Sequence, residues 1–241
     1  MIRNRRSTEG RTIAGEERRT MARTPQWACA PAFLGSCLFS LALLAGGCAG
    51  GAAYDRQYYI LEAARPGEAI RPPINGSLEV HRFGVDAAFA PKGLVYRLEE
   101  FEYETDAYRQ FLIAPGVMVT ERTRDWLADS NLFARVLPVG SRVAADYTLE
   151  GNVTALYGDF SKESAPAAVV EIRFFLLENT DPTETVAFAQ TYRAATPVRD
   201  RTAEVFVEAL DRSLADILAR LEADLQKVLT GGASTGKPTG S

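Results

Sequence analysis

An uncharged apolar run at residues 32–45 divides this chain into a leader and a domain. The run is shorter than the roughly 20 residues that a membrane-spanning helix needs, and its length is typical of the apolar core of a signal peptide. All three cysteines, Cys29, Cys37 and Cys48, lie in or at the end of this leader. The domain that follows must therefore fold around an apolar core without disulfides.

The leader ends in Leu-Ala-Gly-Gly-Cys at residues 44–48, which resembles a bacterial lipobox. In a lipobox the cysteine thiol receives diacylglycerol before cleavage. We therefore predict a signal peptide at 1–47, a lipidated Cys48 and a flexible tether at 48–56. Two alternatives remain open, namely an uncleaved membrane anchor and cleavage by the general signal peptidase. Translation from Met21 rather than Met1 would give a more typical leader.

Length and charge limit what the rest of the chain can be. Residues 57–230 suffice for one domain with its own core, and residues 231–241 have the composition of a disordered tail. The net charge of the whole chain is -4. Seven arginines and three glutamates give the leader +4, which leaves -8 on the remainder. Such a surface repels phosphate backbones, so we exclude nucleic-acid binding.

Strands are predicted where apolar and polar residues alternate. Three such segments, 147–157, 170–176 and 186–192, follow one another, and the turn residues at 179–182 indicate a hairpin between the last two. We expect these three strands to pair antiparallel. The other predicted strands are 57–61, 78–83, 94–98 and 133–137, with a loop at 64–75.

Two amphipathic helices complete the expected fold. The first begins at Pro115 and runs to about Ser130, with Val119, Trp126 and Leu127 on its core face. The second begins after Asp200 or Thr202 and stops before Gly231-Gly232. Its apolar stripe comprises Val207, Leu210, Leu214, Ile217, Leu221, Leu225 and Val228. The stripe favours packing on a sheet, with an intersubunit coiled coil as the alternative. We predict an α+β fold, a mostly antiparallel sheet covered by two amphipathic helices.

The residue types needed for most catalysis are missing from the exported sequence. His81 is the only histidine, and no thiol remains once Cys48 is acylated. One histidine without cysteine cannot form a zinc site, and no nucleotide-binding motif occurs. We therefore expect no enzyme activity, no metal and no cofactor, with a hydrolase that uses only carboxylates as the alternative. The acidic run at 99–104 indicates a solvated edge or a contact with a basic partner.

Five local patterns in order resemble the ABC-type transport auxiliary lipoprotein family, which includes the paraquat-inducible C type. The resemblance covers roughly residues 48 to 229. The patterns are Tyr-Tyr-Ile-Leu at 58–61, Val-Tyr-Arg at 95–97, a Tyr-containing segment at 108–115 that ends in a helix-opening proline, a Leu-x-x-Ser-x-x-Phe-x-x-Val pattern at 127–136, and Ala-Asp-Tyr-Thr-Leu-Glu-Gly at 145–151. The final helix corresponds too.

This resemblance implies a docking component of a lipid transport system that partners a mammalian-cell-entry (MCE) domain protein between the inner and outer membranes. Ala49 after the cysteine is compatible with anchoring at the periplasmic face of the outer membrane of a Gram-negative bacterium. Candidate partner-binding residues are Tyr58, Tyr59, Phe101 and Tyr103. Homo-oligomer formation is left open. The alternative function is an envelope assembly or chaperone lipoprotein for outer-membrane components.

Overall fold

The computed structural model describes residues 55–71, 73–138, 140–180 and 183–231. The predicted leader, Cys48, tether residues 48–54 and the tail after Gly231 lie outside this part. The strands are β1 (Gln57–Tyr59), β2 (Ile74–Val80), β3 (Gly84–Val85), β4 (Gly93–Arg97), β5 (Tyr103–Phe111), β6 (Phe133–Leu137), β7 (Tyr147–Asp159), β8 (Ala167–Thr180) and β9 (Thr183–Pro197). The helices are α1 (Pro115–Ser130) and α2 (Ala203–Gly231).

Strands β7, β8 and β9 form the predicted antiparallel meander. Val153 pairs with Ile172, which pairs in turn with Tyr192. Alternate side chains, such as Val153, Ile172 and Phe174, are fully buried on one face, because a strand turns successive side chains to opposite sides. Each strand extends beyond the segment in which the sequence alternates.

The other edge of β7 pairs in succession with three short strands. Leu78 of β2, Gly84 of β3 and Tyr96 of β4 lie beside Tyr147, Asn152 and Gly158. All three pairings are parallel and short. β6 then continues the sheet beside β2, while β5 and β1 continue it beside β4. Antiparallel ladders contain most of the residue pairs, so the predicted mostly antiparallel sheet is confirmed.

Both helices cover one face of the sheet. The predicted core residues of α1, Val119, Trp126 and Leu127, are buried. The stripe of α2 packs on β8 and β9, with Leu214 and Leu221 fully buried. The prediction of a helix lying on a sheet is confirmed, and the stripe is not exposed for a coiled coil.

The largest departure from the predicted elements is β5, which the alternation of the sequence did not mark as a strand. Most of its side chains are exposed, so it lacks the period of two that burial imposes. β2 begins at Ile74, inside the predicted loop. β1 ends at Tyr59, although Leu61 is fully buried.

Candidate functional site

β1 lies at an edge of the sheet and carries exposed apolar side chains. It pairs parallel with β5, and Tyr58 lies opposite Gln110. Ile60 and Leu112 follow two positions further along the two chains, where the Leu112 amide donates to the Tyr59 carbonyl at 2.8 Å. Tyr58, Ile60 and Leu112, which we call the β1 patch, have 53%, 42% and 52% of their surface exposed. No strand among the described residues pairs with the outer edge of β1.

Tyr59 points away from the β1 patch, towards α2. Its hydroxyl donates a hydrogen bond of 2.7 Å to Glu204 near the start of that helix. Burial and this bond raise the pKa of Tyr59 to about 12, so the phenol remains a protonated donor. Tyr59 therefore holds β1 against the helix.

The chain that follows β1 is fixed to the same helix at two further points. The amides of Glu62 and Ala63 both donate to one carboxylate oxygen of Asp211, at 2.7 and 2.8 Å. Arg65 makes two hydrogen bonds to Glu222. We call residues 59–65 the strap. The strap fixes the part of the domain that lies nearest to Cys48 in the sequence.

Three acidic residues of α2 bind the strap because their spacing places them along one side of the helix. Glu204, Asp211 and Glu222 are separated by seven and eleven residues, close to two and three helical turns. Sequence analysis did not identify them. Each is a polar residue beside the apolar stripe, and nothing local distinguishes it from an ordinary solvated carboxylate.

Tyr103, another predicted partner residue, belongs to an aromatic cluster on the face of the sheet opposite the helices. Its ring meets those of Tyr157 and Phe89 edge to face, at centroid distances of 5.7 and 6.5 Å. Phe89 stacks on Tyr157, over which the Arg97 guanidinium also lies. Although Tyr103 is 48% exposed, these contacts give it a structural role.

Phe101 is far more exposed than Tyr103. It lies in the turn between β4 and β5, and 89% of its surface is exposed. The amide of Leu98 donates to the Glu102 carbonyl at 2.9 Å and closes this turn. Tyr103 lies opposite Arg97 and Gln110 opposite Gly93, so four residues of β4, or about 13 Å, separate Tyr103 from the level of Tyr58. The four predicted partner residues thus occupy two separate places, and Tyr59 and Tyr103 also make contacts within the fold.

A shallow groove between the residues before β1 and the first half of β5 brings several carboxylates together. Asp55, Glu104 and Asp106 line it, together with Arg109. Asp106 accepts hydrogen bonds from the amides of Tyr108 and Arg109 at 2.8 and 2.9 Å. This carboxylate therefore stabilises the irregular part of β5. The groove is the place where a carboxylate hydrolase, the alternative raised above, would be sought.

His81 lies on the surface beside two glutamates. Its ring nitrogens are 3.9 Å from a carboxylate oxygen of Glu79 and 3.5 Å from one of Glu150. Its side chain is about half exposed, as expected for a solvated histidine. In the residues that the structure describes, no three metal-ligating side chains form a cluster. None of the helices described there is long and apolar enough to cross a membrane.

The Ala-Asp-Tyr-x-Leu-x-Gly pattern serves the core of the domain. Asp146 accepts hydrogen bonds from the amide and hydroxyl of Ser77, which joins the start of β7 to β2. Gly151 lies beneath the ring of Phe83, where a Cβ would come within 2.7 Å of a ring carbon. These two positions are thus explained by packing and hydrogen bonding.

The described residues thus form an α+β domain with a strapped N-terminal edge. The family model for the ABC-type transport auxiliary lipoprotein component matches residues 59–222, from the strap to the last helix. The chain belongs to this family, and the resemblance found in the sequence is confirmed. No curated protein matches the chain in sequence.

Solved structures share the fold. Protein XCC0632 from Xanthomonas campestris is 18% identical with a TM-score of 0.63, over 74% of this chain and 100% of that chain. An uncharacterized protein is 16% identical with a TM-score of 0.55, over 71% of this chain and 99% of that chain. At these identities the similarity establishes the fold alone.

Proposed function

We propose that this protein is a lipid-anchored, non-catalytic docking component of an ABC transport system that moves lipids between the inner and outer membranes. Its partner is an MCE-domain protein, and its anchor is the acylated Cys48 at the periplasmic face of the outer membrane. Family membership supports the association with an ABC system. The β1 patch is the observation that carries the docking role.

The β1 patch is suited to docking because its side chains are exposed while the residues between them are fixed. Tyr59 and Leu61, which alternate with Tyr58 and Ile60, are held by α2 and the core. The strap thereby presents the patch on a rigid edge, which lowers the entropic cost of binding. A strand of the partner can also extend the sheet at β1.

Electrostatics favours a partner segment with cationic residues. Asp55, Glu104 and Asp106 line the groove that continues from β1, and Arg109 is the only cation in that lining. The expected partner segment is extended. Its aliphatic side chains would contact the β1 patch, and a Lys or Arg after them would lie in the acidic groove. The lipid anchor confines this protein to a membrane surface, so a modest intrinsic affinity for a membrane-bound partner suffices.

The proposal is tested by purifying the full-length, C-terminally tagged protein from detergent-solubilised envelopes of its own host. We expect the MCE protein to co-purify with the wild type. The variants Ile60→Asp and Leu112→Asp should lower its recovery at least tenfold. The matched control is Val186→Asp, because Val186 is 61% exposed on β9, at the other end of the sheet.

The identity of the co-purified protein distinguishes the proposed docking function from its alternatives. Recovery of a β-barrel assembly protein in place of the MCE protein would favour the envelope assembly alternative. Equal recovery of the MCE protein with the patch variants and the control would remove the β1 patch from the interface. Hydrolysis of a generic ester or glycan by the pure protein, lost on mutation of Glu104, would replace docking by catalysis.

A further inference from the structure

The turn between β4 and β5 exposes the large apolar side chain of Phe101. Unlike the rings of the aromatic cluster beside it, this ring lies almost entirely in solvent. Phe101 is 89% exposed, whereas Phe89 is 8% exposed. The turn itself is closed by the hydrogen bond from Leu98 to Glu102. Transfer of this ring from water to an apolar environment would be favourable, so Phe101 is available for contact with such a surface.

The direction of the N-terminal chain identifies that surface. β1 and β5 are parallel, and Gln57 lies opposite Arg109. The starts of both strands therefore point the same way. Asp55 already lines the groove beside Glu104 and Asp106, so the chain leads back from β1 along β5 towards its beginning. Phe101 lies just beyond that beginning, near Asp55, the first described residue.

The length of this chain brings the turn to the membrane. Six residues, 49–54, lie between Cys48 and Asp55, and the seven steps from one Cα to the next span at most about 25 Å. Asp55 lines the same groove as Glu104, and Phe101 precedes Glu104 by three residues, or about 10 Å of chain. The turn thus lies within the reach of the tether. A tether that is not fully extended therefore allows Phe101 to reach the bilayer surface.

We propose that Phe101 enters the interface of the bilayer that holds the acylated Cys48, an inference that rests on the anchor in the proposed function. The contact favours a zwitterionic lipid surface, because the exposed Glu99, Glu100 and Glu102 flank Phe101 and are repelled by anionic headgroups. It makes a second attachment point besides the lipid. Two attachment points fix the orientation of the domain and turn the β1 patch away from the membrane.

The test uses the full mature protein in vesicles of phosphatidylcholine whose acyl chains carry bromine, which quenches tryptophan at short range. In the Phe101→Trp variant we expect the added fluorescence to fall by about half relative to vesicles without bromine. The wild type, whose Trp126 is buried, and a Val186→Trp control should lose less than a tenth. One third phosphatidylglycerol should at least halve the quenching at low salt, and 0.5 M NaCl should restore it.

Flotation of the same vesicles separates the possible failures. Protein that floats but shows no quenching of the Phe101→Trp variant overturns the membrane contact and leaves the docking proposal intact. Protein that does not float overturns the anchor and the membrane contact together. Equal quenching of the Phe101→Trp and Val186→Trp variants also overturns the contact, because it would mean that the domain has no fixed orientation.

Discussion

The guanidinium of Arg65 makes two hydrogen bonds to the carboxylate of Glu222, with Nε–Oε2 and NH2–Oε1 distances of 2.9 and 2.8 Å. The indole nitrogen of Trp126 donates to the same carboxylate at 2.7 Å. The two charged side chains are only 9% and 13% exposed. One carboxylate thereby joins the strap, α1 and α2.

Replacement of Glu222 by Gln should destabilise the domain by about 2–4 kcal/mol, because Arg65 would be left nearly buried without its counter-ion. Urea unfolding measures the loss, and Trp126, the one tryptophan after the leader, reports on the site directly. Glu208→Gln on the exposed side of α2 is the control, since its pair with Arg212 is open to solvent. A loss no larger than that of the control would show that the strap contributes little to stability.

Gly151→Ala should destabilise the domain by about 1–3 kcal/mol, since the new methyl group must displace the buried ring of Phe83. A smaller residue at position 83 makes room, so Phe83→Leu combined with Gly151→Ala should cost less than the sum of the two single changes. Thermal unfolding measures all three variants. Gly231→Ala, with nothing near its added methyl group, serves as the control. Simple additivity would contradict the contact.

Asp146 should contribute stability that is lost in acid. Its hydrogen bonds from the Ser77 hydroxyl and amide lower the pKa of its carboxyl group in the folded state. The contribution is thus present above the ordinary pKa of about 4 and disappears as the pH falls through the lower, folded value. Asp146→Asn should cost about 1 kcal/mol at pH 7, a small value because the residue is exposed, and progressively less as the pH falls through the lowered pKa of the folded state.

Urea unfolding at several pH values tests this dependence. The free energies of unfolding of the wild type and Asp146→Asn should converge as the pH falls. The control is Glu99→Gln, in the exposed turn before β5. The difference between its free energy of unfolding and that of the wild type should stay constant over this pH range. A constant difference between Asp146→Asn and the wild type across this range would refute the assignment.

Cys48→Ser should abolish acylation and leave the leader uncleaved, because the thiol accepts the lipid and cleavage follows acylation. Metabolic labelling with an alkyne fatty acid measures the first effect, and the mass of the protein on a gel measures the second. Cys37→Ser, within the leader, is the control and should be labelled like the wild type. Labelling of the Cys48→Ser protein would refute the lipid anchor.

The sequence predicted those parts of the fold in which burial imposes a period. β6 was placed at its observed bounds, and the core face of α1 was identified through Val119, Trp126 and Leu127. β5 was not predicted because most of its side chains are exposed, so its sequence lacks the period of two that burial imposes. Its pairing depends on β4 and β1, which no local pattern reveals.

The candidate site was predictable only in part, because its components come from distant parts of the chain. Tyr58 and Phe101 are exposed as a partner surface requires. In the sequence, nothing distinguishes Tyr59 and Tyr103 from those two residues. Their contacts are with Glu204 and Tyr157, which lie far away along the chain. Ile60 and Leu112 could have been found only from the register of β1 against β5.

The strap also sets the order in which the domain can be completed. Tyr59, Ala63 and Arg65 bond to residues 145, 148 and 157 positions later. The strap is synthesised before α2 and cannot complete its contacts until α2 is available. Contacts between such distant parts of a chain slow folding. Until α2 has formed, β1 lacks its helix contacts and the apolar face of the β7–β9 meander is uncovered. The nascent protein thus passes through an aggregation-prone state that ends only with the arrival of its C-terminal helix.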